Sequence, residues 1–230
     1  MAKSELIKEL ARGKIDTEIA LKQLKLLLDV FPDESIMSWV DKELTGYKQE
    51  DELPSYRKAG GSLTGTFLNF RTHANNVGIP LKPDTPKEIS DFCNSVEFKE
   101  SIGTLKSLME SDNKKGIVVT VPPDMYPLIM RYSAMSMTAL LGAHVNVSSA
   151  AIPRIFSEVD NKVLDILMLL EKEFGNLDDL DIDLSEKSEQ EVKDIQKQII
   201  VYIYNDNSIS IGNDNQIEES VIASKSNVEG

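Results

Sequence analysis

Glu50-Asp51-Glu52, just ahead of Leu53-Pro54-Ser55-Tyr56-Arg57, is an acidic triplet of the kind that holds a divalent cation in a metal-dependent nuclease. The same triplet suits an exposed loop after a helix. The two histidines, His73 and His144, stand far apart, and neither has a second ligand at metal-binding spacing. A three-ligand zinc site is therefore not expected, and each histidine reads as a surface or hydrogen-bonded residue. Cys93 falls on the apolar side of a predicted helix, which marks a buried, inert thiol rather than a nucleophile. No Gly-x-x-x-x-Gly-Lys-Ser/Thr, no Gly-x-Gly-x-x-Gly after a strand and no Gly-x-Ser-x-Gly elbow occurs, so no nucleotide or redox cofactor and no bound metal is expected. Gly60-Gly61 reads as a turn before a strand, the wrong order for a dinucleotide site. Lys114-Lys115 offers two cations, too few for specific nucleic-acid binding.

The elements that would carry these residues are mostly helical in the first third. Leu6, Ile7, Leu10 and Ala11 share one helical face, and Gly13 stops it. Asp16 or Thr17 opens a second helix with Ile19, Ala20, Leu24, Leu27 and Leu28, and Asp33 caps a third with Ile36, Val40 and Leu44 before Gly46. Trp39 lies beside the Val40 face and reads as a core-edge residue rather than a stacking platform. Short strands are expected near 62–68, 117–121 and 143–147, from alternation or β-branched runs. Asn75 to Gly78 and the prolines at 80, 83 and 86 read as a loop. Helices follow around Ile89–Val96 and Ile102–Met109, and the longest opens at Ser148 or Ser149 and ends near Phe174. Leu24, Leu28, Val40, Phe92, Leu105, Val119, Val163 and Leu167 are the predicted core.

The chain has 230 residues and a net charge of −13, and on that ground a generic basic nucleic-acid surface is not expected. No apolar run approaches ~18 residues, so no membrane span is expected. The start lacks an apolar signal-peptide core, and a single cysteine fits a cytoplasmic location. From Asn176 onward there are 13 Asp/Glu against 4 Lys, while the first 175 residues are nearly neutral. The expected organisation is an α+β, mainly helical domain over 1–175, an acidic linker over 176–198, a β-prone self-association segment over 199–223 and a disordered end over 224–230. Within that segment Ile203 and Ile209, and Ile211 and Ile217, recur six apart beside Asn and Gly, as in a β-solenoid or β-prism. So short a stretch cannot bury its isoleucines alone, which predicts a homo-oligomer; the alternative is a disordered acidic tail.

The run Leu6-Ile7 through Trp39-Val40-Asp41-Lys42-Glu43-Leu44-Thr45-Gly46-Tyr47 is similar to the opening of the AbiTii-domain family of abortive-infection proteins. The resemblance continues through Asp51–Arg57, Gly61–Gly65, Val96–Leu105, Val121–Leu128 and the helix Ile155–Leu170. It implies a bacterial antiphage role in which the infected cell stops growing or dies before phage matures, with a phage protein or another defence component as a possible partner. It carries over no catalytic motif. Trp39, Tyr47, Tyr56 and Arg57 are candidates for a recognition surface, or for a helix end and turn with demanding packing. The leading functional expectation is an oligomerising, toxin-like effector or adaptor; the alternatives are a metal-dependent nuclease-type toxin and a passive scaffold for a separate effector chain.

Overall fold

The computed structural model describes residues 3–70, 72–111 and 116–204. Three short helices come first: α1 (Glu5–Ala11), α2 (Thr17–Leu28) and α3 (Glu34–Thr45). Asp33 caps α3 by accepting from the Ser35 N–H at 2.8 Å, and Gly46 closes it at φ 96°, a left-handed value glycine adopts freely. Strand β1 (Lys58–Asn69) turns back into β2 (Thr72–Gly78). Then come α4 (Lys87–Asn94), β3 (Ser95–Glu97), α5 (Ile102–Ser111), β4 (Ile117–Thr120), α6 (Tyr126–Tyr132) and β5 (Ala139–Val147). Two long helices end the described chain, α7 (Ala151–Phe174) and α8 (Glu189–Tyr204).

All described strand pairs are antiparallel, in the order β2-β1-β5-β4, with β3 paired to the start of β1. Alternation decides the faces. Leu63, Gly65 and Phe67 of β1 stand on one side with Ala143, Val145 and Val147 of β5, all buried. Ser62 and Thr64 stand on the other with His144 and Asn146, and Asn146 Nδ2 donates to Thr64 Oγ1 at 2.7 Å. One core joins the inner sheet face to α2, α3, α5 and α7, with Leu24, Leu28, Val40, Leu105, Val163 and Leu167 fully buried as expected.

The structure differs from the sequence reading at six places. Val96, expected at the end of the Ile89 helix, lies in β3, paired with Ala59 of β1. Phe92 and Val119, expected in the core, are 41% and 39% exposed; Cys93 is the residue α4 buries, and β4 lies at the sheet edge. Residues 75–78, expected as a loop, belong to β2, because the β1 ladder supplies the partners that turn-prone asparagines lack locally. Gly60-Gly61 lies inside β1 rather than in a turn; a Cβ on Gly61 would come within 2.4 Å of Val145 Cγ1. The expected acidic linker 176–198 packs on the body: Leu177, Ile182 and Ile195 are buried, and Asp178 accepts the Glu5 N–H at 2.6 Å, at the start of α1. Finally, Ile199–Tyr204 completes α8 rather than forming a strand. Ile195, Ile199 and Ile203 recur every four residues and pack into the core, and α8 lies on α3 and α7, so burial overrides β-propensity. Ile209, Ile211 and Ile217 lie outside the described residues.

Candidate functional site

The residues of the Trp39–Arg57 stretch meet inside the protein. Helix α3 carries Trp39 and Glu43 on the face that also holds Ile36 and Val40. A carboxylate in that row leaves water and needs a buried cation or several donors. Both are present. Glu43 Oε1 accepts the Tyr56 hydroxyl at 2.6 Å and the Tyr47 hydroxyl at 2.7 Å, and Glu43 Oε2 is paired with Arg57 Nη2. Trp39 Nε1 donates to the Tyr56 oxygen at 2.9 Å. Arg57 Nη1 donates to the carbonyls of Glu100, at 2.6 Å, and Phe98, at 3.3 Å. The guanidinium lies 5.2 Å from the Tyr47 ring centre, and Lys162 Nζ lies 5.6 Å from that of Tyr56.

Glu43 and Arg57 are 0% exposed, Trp39 2%, Tyr56 4% and Tyr47 8%. The four residues considered as a recognition surface therefore form an interior cluster. It ties α3, the 3-10 turn Ser55–Arg57 and segment 98–100 together, and the Tyr47 N–H adds a bond to Lys99 O at 2.7 Å. Gly46 is required beside it: a Cβ would sit 3.0 Å from Lys99 O. Burial, then the Glu43 charge, pushes both tyrosine hydroxyls far above their ordinary range, so both remain protonated donors at any physiological pH. The carboxylate, both hydroxyls, the indole N–H and the guanidinium Nη groups are all paired inside the protein, while Arg57 Nε is buried without a partner. The arrangement fixes geometry and leaves no exposed nucleophile or base. Glu43 escaped the sequence reading, although its place one turn from Val40 on an apolar stripe is the signal that finds it.

The other candidates remain separate. Glu50 and Glu52 are exposed, while Asp51 pairs with Lys42 at 2.9 Å and accepts the Lys48 N–H at 2.7 Å, closing the turn after α3; Lys42 and these bonds hold its carboxyl below the usual range. Cys93 is buried and free, and burial pushes its thiol up. His73 is exposed on β2; His144 is half-buried on β5 with Nδ1 enclosed. Among the described residues no three His, Cys, Asp or Glu side chains converge as a metal site would need, and no helix is long and apolar enough to cross a membrane. Lys114-Lys115 lies outside the described residues.

A second carboxylate, on α7, organises the chain ends. Glu171 Oε1 accepts from Ser4 N and Ser4 Oγ, each at 2.6 Å, and Oε2 pairs with Lys3 Nζ at 2.5 Å. Burial opposes its ionisation, but these donors outweigh it and hold the carboxyl down at about 2.

Compared with known families, the chain matches the AbiTii family over residues 4–197. No curated protein and no solved structure matches it. The match spans the interior cluster, both carboxylate hubs and the first part of α8, and the chain belongs to the AbiTii family, which implies abortive-infection defence against phage.

Proposed function

We propose that this AbiTii-family chain is an assembling effector or adaptor of abortive infection, in which the folded body is the platform and residues beyond α8 join copies together. One observation carries the reading. Beyond α8, and so after the last family-matched position, the sequence places Ile209, Ile211 and Ile217 at two- and six-residue spacing among Asn, Ser and Gly. The sequence reading included Ile203, but that side chain is 2% exposed inside its own fold and is set aside as a contact between copies. The interior cluster supports the platform role, since its charged and hydroxyl groups are spent on one another. Assembly then raises the local concentration of whatever the body recognises without any new contact on the body itself.

The test is size-exclusion chromatography with light scattering, together with a phage challenge of cells expressing the full chain. Wild type is expected at a multiple of 25.6 kDa, and Ile209→Asp with Ile211→Asp at 25.6 kDa with protection lost. A wild type that stays at 25.6 kDa at high concentration overturns the assembly reading.

A further inference from the structure

The open edge of the sheet is apolar. The Val121 N–H donates to Ala143 O at 2.9 Å, so by alternation Val119 and Ile117 also turn their main-chain groups toward β5. Val118 and Thr120 turn theirs the other way, and among the described residues β5 is the only strand paired with β4. Edge strands in stable proteins are shielded by shortness, charge, proline or a bulge. Ile117-Val118-Val119-Thr120 is short but carries no charge, proline or bulge, and Val118 is 54% exposed. Beside the edge lies a groove of about 440 Å³ between α4, β3 and β4, with Phe92, Val96, Val119 and Val121 as its apolar wall and Asp91 and Glu97 at the rim. A free strand edge flanked by an apolar groove is the geometry that an extended segment fills by adding one more strand.

The chain itself contains a segment of matching length and pattern. Ser208-Ile209-Ser210-Ile211 has four residues, as β4 has, and alternates polar with apolar. Paired to β4, its isoleucines fall on the face shared by Val119 and Val145, over the groove. Its serines fall on the face of Thr120, His144 and Asn146.

The end of α8 is fixed on the helical side: Tyr204 Oη donates to Ser35 O at 3.1 Å, and Tyr202 O accepts from Lys162 Nζ, which lies over Tyr56. The assembly reading takes the segment from a second copy, and a wild type that stays at monomer mass would place it on its own body instead.

Resting on the assembly reading above, we propose that Ser208–Ile211 of one copy adds a strand to β4 of a second copy and seats Ile209 and Ile211 in the Phe92–Val119 groove. Each copy then offers one segment and one groove, a head-to-tail contact that builds rings or open chains.

The experiment mixes two full-length variants. One, Phe92→Asp with Val119→Lys, spoils the groove at two partly exposed positions; the other, Ile209→Asp with Ile211→Asp, spoils the segment. Each alone is expected at 25.6 kDa by light scattering, and the mixture at twice that mass, because only one intact segment meets one intact groove. Val118→Pro, which removes a main-chain donor facing the open edge and none facing β5, is the second groove variant if the first does not fold; it too is expected at monomer mass. If both groove variants keep the wild-type mass while the segment variant becomes monomeric, the groove proposal falls and the assembly reading stands. If the segment variant also keeps the wild-type mass, or if wild type is itself monomeric, both fall. Two monomeric variants that do not pair on mixing overturn the groove proposal.

Discussion

Two regions of this protein reverse the usual placement of polar and apolar residues. Around Glu43 the interior holds a charged pair, two hydroxyls and an indole N–H, all buried. Along β4 and α4 the surface holds Val118, Val119 and Phe92, all substantially exposed. The difference separates what a residue does for the fold from what it can do for a partner. The interior cluster is closed: Glu43 meets three donors, and Arg57 reaches two carbonyls besides. The β4 edge is open: among the described residues no strand pairs with its outer side, and Val118, Val119 and Phe92 stay partly exposed. A conspicuous sequence motif thus marks architecture here, and a plain β-branched run stands at the open edge of the sheet.

The sharpest way to break this contrast is to remove one member of the buried pair. Glu43→Gln or Arg57→Ala leaves a charge without its counter-charge in the interior, and each is expected to cost about 3–5 kcal/mol. Urea unfolding followed by Trp39 fluorescence reads it directly, because Trp39 is the only tryptophan and bonds to Tyr56 within the cluster. Replacing both charges with apolar residues does not restore the loss, because the buried Tyr47 and Tyr56 hydroxyls and the Phe98 and Glu100 carbonyls then lose their partners. A loss below 1 kcal/mol in either single variant would show that the cluster does not hold the fold. The next effect is on the inner sheet face. Val145 is 2% exposed, so Val145→Thr buries a hydroxyl among apolar side chains and is expected to cost about 1–3 kcal/mol in the same assay.

Much of this architecture was legible in the sequence wherever local and tertiary preferences agree. Asp33 and Gly46 stand at the helix ends they were expected to make, the longest helix ends at Phe174, and the Leu63–Phe67 alternation gave the buried face of β1. It was illegible where burial or pairing overrides local preference. The asparagines of β2 read as a loop until β1 supplies a ladder, and the β-branched end of α8 reads as a strand until Ile195, Ile199 and Ile203 are seen as one helical row. The acidic run after Gly175 reads as self-repelling, yet Asp178 finds the N-terminus of α1 and Leu177 N donates to Ser4 Oγ, 173 positions away. At the site, residues 39, 47, 56 and 57 were visible as a group, but only Glu43 shows that they face inward.

Glu171 sharpens the contrast between a sealed polar hub and one at the boundary. Its partners are Ser4 and the exposed Lys3, and its carboxyl is held at about 2 against an ordinary value of 4.5. A depressed carboxyl contributes stability that is complete above the unfolded value and is lost as pH falls through the folded one. The loss therefore falls between pH about 4.5 and about 2. Allowing for solvent screening, it is expected to reach about 1–2 kcal/mol. Glu171→Gln lowers stability at pH 7 by a similar amount and flattens that part of the acid limb, measured by unfolding at stepped pH. An unchanged acid limb would mean that the link between chain ends contributes nothing to stability.

The smallest expected effect tests the open side. Val118 stands on β4 opposite Asn146, on the polar face and one register step from Val119, which faces Val145. Val118→Thr keeps the β-branched shape and places the new hydroxyl in water, so neither strand preference nor core packing suffers. The expected change in unfolding free energy is within about 0.5 kcal/mol. The identical exchange at Val145, on the adjacent strand, is expected to cost several times more, so the pair measures how sharply the fold distinguishes its two faces with side-chain chemistry held constant. If Val118→Thr proves as costly as Val145→Thr, the β4 edge is packed in the isolated chain and is not available to a second copy. If it is neutral, this apolar side chain contributes nothing to the stability of its own domain, and the strand beside the Phe92 groove remains free to take a partner.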